Sequence, residues 1–158
     1  MKAASVNELK QELVTKTPAK LIELCLRLAR FKKENKELLT YLLFEAHDVD
    51  GYISGVKKEM DSQLENINKS NIYFVKKTLR KVLRTANKFI RYSGSAIAET
   101  ELRIYFCVLV RSLNIKINKH QVIFNIYQSQ LKKIRKSIST LHEDLQYDYN
   151  RELAKISE

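Results

Sequence analysis

Between residues 70 and 92 the chain repeats at a helical period on two opposite sides. Val75, Leu79, Val82, Leu83, Ala86, Phe89 and Ile90 return every three or four residues. At about 100° per residue, Lys77, Arg80, Lys81, Arg84, Lys88 and Arg91 fall in one arc about 100° wide on the other side. Such a segment is an amphipathic helix that buries one face and shows a wholly cationic one. Residues 66–98 hold eight Lys or Arg and no Asp or Glu. Like charges crowded together repel, so the face either meets an anionic partner or is simply well solvated.

Helix signals of the same kind run from end to end. Ser5-x-x-Glu8 is a capping box, in which the Ser oxygen takes a first-turn amide and the Glu reaches back; its helix runs to about Val14. Thr17 before Pro18 is a second start, since Pro has no amide to leave unpaired at the first helical position. Leu21, Leu24, Cys25, Leu28 and Phe31 follow at helical spacing, and the pattern fades over residues 32–36. A third helix, about 35–46, carries Leu38, Leu39, Leu42 and Leu43. Asp48 or Asp50 caps a fourth, with Tyr52, Ile53, Val56, Met60, Leu64 and Ile67 as its inner stripe. Ser70 or Asn71 opens the basic helix and Ser93-Gly94-Ser95 closes it, because Gly readily takes the left-handed conformation that ends a helix.

The segment 97–113 is apolar nearly all round, which predicts the central helix. Residues 114–118 read as a loop. From Lys119 a long helical pattern begins, in which Leu131, Ile134, Ile138, Leu141 and Leu145 alternate steps of three and four. It is read as continuous, although Thr140-x-x-Glu143 offers a point where it can break. The expectation is an all-α fold of six or seven helices in antiparallel pairs, closing as a bundle or a short right-handed superhelix, with a long C-terminal helix.

At 158 residues the chain suits one domain, 1–158. A chain of this length buries roughly 68–70% of its unfolded surface, so it needs no disulfide or metal to hold it. Its net charge of +11 is uneven. Residues 1–65 hold eleven basic and eleven acidic side chains, residues 66–142 sixteen and two, and residues 143–158 two and five. The acidic end is either a screen folded back on the basic middle or an ordinary solvated helix end. Cys25 and Cys107 both sit on apolar stretches and are read as core positions, since free Cys behaves as a small hydrophobe. The start has no apolar signal region and the longest apolar run, residues 104–110, is far short of a membrane span. A cytoplasmic protein is expected.

Leu9-Lys10-Gln11-Glu12-Leu13, residues 18–28, Lys36-Glu37-Leu38-Leu39 and the basic stretch 75–83 together resemble a family of small helical bacterial proteins catalogued as a domain of unknown function. The resemblance covers about the first two thirds of the chain. It implies a bacterial origin and an all-helical fold, and brings no activity or site.

Three groups of residues bear on function. The basic face, Lys77, Arg80, Lys81, Arg84, Lys88 and Arg91, is the candidate partner-binding surface. Lys and Arg along a helix can neutralise phosphates, Tyr73, Phe74 and Tyr92 flank the stripe and can stack on bases, and Lys132, Lys133, Arg135 and Lys136 can extend it. The second group, His47-Asp48-Val49-Asp50-Gly51, places its Gly too early for a calcium loop and reads as a turn and cap. The third, His142-Glu143-Asp144 with His120 elsewhere, lacks an activated nucleophile beside a base. The expectation is a non-enzymatic interaction or scaffold module without cofactor or metal, docking an acidic protein on its basic face. The alternative is sequence-indifferent binding of RNA or single-stranded DNA, and self-association through the C-terminal seam is a further option.

Overall fold

The computed structural model describes residues 2–157. It is all-helical, with eight α-helices among the described residues: α1 Val6–Val14, α2 Pro18–Phe31, α3 Lys33–Thr40, α4 Val49–Leu64, α5 Ile72–Ser93, α6 Ala96–Ser112, α7 Gln121–Ile138 and α8 Glu143–Ser157. A π-helical turn, Tyr41–Glu45, follows α3, and a 3₁₀ turn, Ile117–Lys119, precedes α7. Two compact units divide the chain, Met1–Phe44 and Glu45–Glu158. No helix among the described residues is long and apolar enough to cross a membrane.

In the first unit the starts follow the caps. The Ser5 hydroxyl accepts the Glu8 amide at 3.3 Å and donates to the Glu8 carboxylate at 2.7 Å, and that bond first, then the Ser5 amide at 2.7 Å, holds the Glu8 carboxyl below its usual range. Thr17 accepts from the Lys20 amide at 3.3 Å. Lys32 is extended, with φ −143° and ψ 145°, so α2 and α3 meet at a sharp break, where the Asn35 side-chain amide donates to the Leu28 carbonyl at 2.8 Å. α2 packs on α3. Two helices cover each other on one side only, so of this unit's described residues Tyr41 alone is buried. Cys25, expected in the core, is exposed, because this hairpin has no third layer over that side of α2. The third helix is also shorter than the expected 35–46: it ends at Thr40 and the chain widens into the π-helical turn.

The second unit carries the core. α6 lies against α4, α5, α7 and α8, so Leu102, Phe106, Cys107 and Val110, on successive turns, are shut off from water. Met60 from α4, Leu79 from α5 and Ile134 from α7 are each 0% exposed. Polar side chains pin the helices in place. Tyr52 donates to the Phe89 carbonyl at 2.9 Å, and Lys57 pairs with Glu101 at 2.6 Å. Buried Thr100 donates to Ser137 at 2.8 Å, and Ser137 in turn donates to the Ala96 carbonyl at 3.0 Å, so neither hydroxyl is left unmatched inside. Tyr105 donates to Asp61 and Tyr149 to Glu101. Burial first, and then the carboxylate partner, push the Tyr105 phenol up to about 12 and the Tyr149 phenol above its ordinary value, so both remain donors.

The expected long C-terminal helix is corrected to two. α7 ends at Ile138 and α8 starts at Glu143. Ser139 donates to the Lys136 carbonyl at 2.8 Å and Thr140 to the Ser137 carbonyl at 2.7 Å, so short hydroxyl side chains take up carbonyls of the last turn and close it. Thr140 therefore ends one helix and does not box-cap the next. The reversal returns α8 to the core, where Leu153 and Ile156 are buried. Leu131, Ile134 and Ile138 of the seam are buried in the same unit, leaving Leu141 and Leu145 half-buried as its continuation.

Candidate interaction surface

α5 owes its length to its ends. The Asn71 side chain accepts the Tyr73 amide at 2.9 Å, and Gly94, at φ 59°, closes the helix in the left-handed conformation that side-chain-bearing residues rarely adopt. Val75, Leu79, Val82, Ala86 and Ile90 are buried, and Leu83 and Phe89 are half-buried at the edges of the apolar side. That packing fixes the rotation of the rod and turns the basic arc outward. Lys77, Arg80, Lys81, Arg84 and Arg91 are exposed, and Lys88 is half-buried with its ammonium 4.7 Å from the Phe89 ring centroid. Among the described residues, Lys77, Arg80, Lys81, Arg84 and Arg91 form no ion pair with a carboxylate. Charges left in this state meet any anion without first giving up an intramolecular partner.

An open groove of about 510 Å³ runs along this face. Tyr73, Lys76, Lys77, Arg80 and Arg84 line it from α5, and Ile126 closes it from α7. Lys76 is missing from the expected arc, and Ile126 reaches the groove through the tertiary packing of α7, which no local pattern in the sequence encodes. Of the four cations expected to extend the surface, all are exposed; Lys133, seven residues beyond Ile126, falls on the groove side, while Arg135 falls about 180° away. Tyr73 is 63% exposed and packs edge-on against Phe74 at 5.5 Å, so one aromatic stands on the rim. Tyr92, expected to flank the stripe, is buried: it follows Phe89 by three residues, and their rings meet edge-on at 6.0 Å inside.

Beneath the groove lies a buried cation. Arg103, 6% exposed, donates from Nη1 to Asn87 Oδ1 at 3.0 Å and to Gln130 Oε1 at 2.7 Å, and from Nε to Glu99 at 2.8 Å. It joins α5, α6 and α7 at one point. Asn87 also lines the groove, and with its carbonyl oxygen taken by Arg103 the part it can offer there is its amide NH₂, a donor. The lining therefore brings donors from Lys76, Lys77, Arg80, Arg84 and Asn87 together with no carboxylate. A signal for Arg103 does exist in the sequence: a lone Arg entering an apolar run, four residues after Glu99.

Members of the other two groups are tied into local structure at Asp48 and His142. Asp48 caps α4, accepting the Gly51 amide at 2.9 Å, and a Cβ on Gly51 would collide with that carboxylate. Exposed His142 lies at the start of α8, where its Nδ1 accepts the Asp144 amide at 3.5 Å. A hollow of about 700 Å³ near the end of α6 is bordered by Arg111 and Tyr127, which donate to the Lys155 and Ile156 carbonyls, each at 2.6 Å, and so fasten the end of α8. Cys107 is buried and its thiol is pushed up to about 12, mainly by burial, with Arg103 pulling the other way. A thiol reagent is expected to titrate Cys25 in the folded protein and Cys107 only in denaturant; rapid native labelling of both would contradict the packing of α6.

A scan against protein-family models finds no match, and comparison with curated proteins and with solved structures finds none either.

Proposed function

We propose that this protein is a non-enzymatic interaction module that docks an acidic protein segment on the outer face of α5. The observation that carries this reading is the row Lys77, Arg80, Lys81, Arg84 and Arg91, exposed beside a groove and without carboxylate partners among the described residues. An acidic segment lying along the groove satisfies charges that the chain itself leaves unmatched, and the surrounding positive potential speeds encounter. Lys88 and Lys133 lengthen the track. A second reading, RNA or single-stranded DNA, is favoured by the exposed Tyr73 ring, because stacking on one aromatic face tolerates any base.

The test is a double charge reversal, Arg80→Glu with Arg84→Glu. Both residues are exposed, so the variant is expected to keep its unfolding free energy to within about 0.5 kcal/mol for each position changed. Protein captured on the unmodified chain from nuclease-treated extract is expected to be lost on the variant, with affinity down at least about a hundredfold, or roughly 2.7 kcal/mol. Equal capture by both chains overturns the reading. Capture of nucleic acid alone before nuclease treatment, with affinity falling steeply as salt is raised, replaces it with the second.

A further inference from the structure

The first unit carries a different surface, independent of α5. We propose that the groove between α2 and α3 is a docking site for an amphipathic helix of another protein, one whose apolar stripe is flanked by acidic residues. Leu26, Leu39, Leu43 and Phe44 form the apolar part of a concavity of about 690 Å³. Three of them are wide open, Leu26 at 45%, Leu43 at 63% and Phe44 at 67% exposure. Apolar side chains left in water beside a preformed concavity lose free energy on being covered.

The charge around the groove selects the occupant. Arg30, Lys32 and Lys36 line it without an ion-pair partner among the described residues, and Lys33 has Glu37 at 3.7 Å. No Asp or Glu is among the lining residues. A ligand with an apolar stripe and acidic borders matches both layers at once, which is the helix-in-groove mode of recognition. The α-helical part of the wall, Lys33 to Thr40, rises about 12 Å at 1.5 Å per residue and the π-helical turn carries it on to Phe44, room for a helix of about three turns. A second copy is disfavoured as occupant because a two-fold contact would bring the same cationic rim against itself. A lipid surface is disfavoured by shape: interfacial helices lay one continuous apolar face into the membrane, whereas these side chains line a concavity together with Arg30, Lys32, Lys33 and Lys36.

The probe is a fluorescent synthetic helix of about three turns, with Leu at helical spacing and Glu on both flanks, and a control carrying Lys in place of Glu. Each is titrated against the full chain carrying Arg80→Glu and Arg84→Glu, which removes the α5 face as a competing site. Failure here is therefore distinct from failure of the function proposed above. The acidic helix is expected to bind saturably and at least about tenfold more tightly than the Lys control. Leu43→Asp and, separately, Lys36→Glu are expected to weaken it by about fivefold or more. Both positions are exposed, and far-UV circular dichroism checks each variant; if Leu43→Asp loses helix, Lys36→Glu decides the matter. Equal binding of the two peptides, no saturable binding, or indifference to the deciding variant overturns the proposal. So does a Leu43-dependent dimer in sedimentation, or Leu43-dependent capture by phosphatidylserine vesicles where the acidic helix fails to bind.

Discussion

Phe106→Ala is expected to cost about 3–5 kcal/mol of stability, the range for emptying a buried aromatic site that relaxes only in part. Phe106 is 0% exposed and stands on α6, the helix that α4, α5, α7 and α8 surround, so no single neighbour can swing in to fill the space. Urea unfolding followed by circular dichroism should show the midpoint falling with the slope unchanged. Thermodynamic loss below about 1 kcal/mol would mean that α6 is not the centre of the core.

Arg103→Leu is expected to cost about 2–4 kcal/mol, although it replaces a charge with an apolar side chain inside the core. The loss comes from the groups left behind: Gln130, 2% exposed, and Asn87 both give a carbonyl oxygen to Arg103, and Glu99 loses its close cation. Glu99 has a side chain 34% exposed and recovers hydration, which keeps the figure below that for a fully enclosed pair. The companion variant Arg103→Leu with Gln130→Leu removes donor and acceptor together. It should be less destabilised than the sum of the two single changes, with a coupling of about 1 kcal/mol or more in urea. Strict additivity would show that the buried contact between these side chains contributes nothing of its own.

Much of the second unit is legible in one sequence because its signals are local. Gly94 marks the end of α5 through a backbone conformation that few other residues take, and the apolar run 104–110 identifies the central helix because an element surrounded on all sides has no polar face to show. The basic arc was readable for the same reason: helical period alone sorts Val75 and Leu79 from Arg80 and Arg84. What escaped depends on neighbours. Thr140-x-x-Glu143 fits a capping box, a helix interior or, as the structure has it, the closing turn of α7, and the choice is made by Leu153 and Ile156 returning to the core. Cys25 and Cys107 have the same apolar flanks, yet only one has a layer of helices over it. The groove on α5 needs Ile126 from another helix, and the donor role of Asn87 needs Arg103, so neither can be read along the chain.

The uneven placement of the core has an effect on how substitutions are tolerated. Among the described residues every buried apolar side chain apart from Tyr41 comes after the π-helical turn, so positions such as Val6, Ile22, Leu28 or Phe31 have little native packing to forfeit. Replacing one of them by a polar residue barely moves the folding equilibrium and makes the molecule less adhesive. Any harm done by such a change is then felt in encounters with other molecules, and an assay of folding alone would pass it as silent.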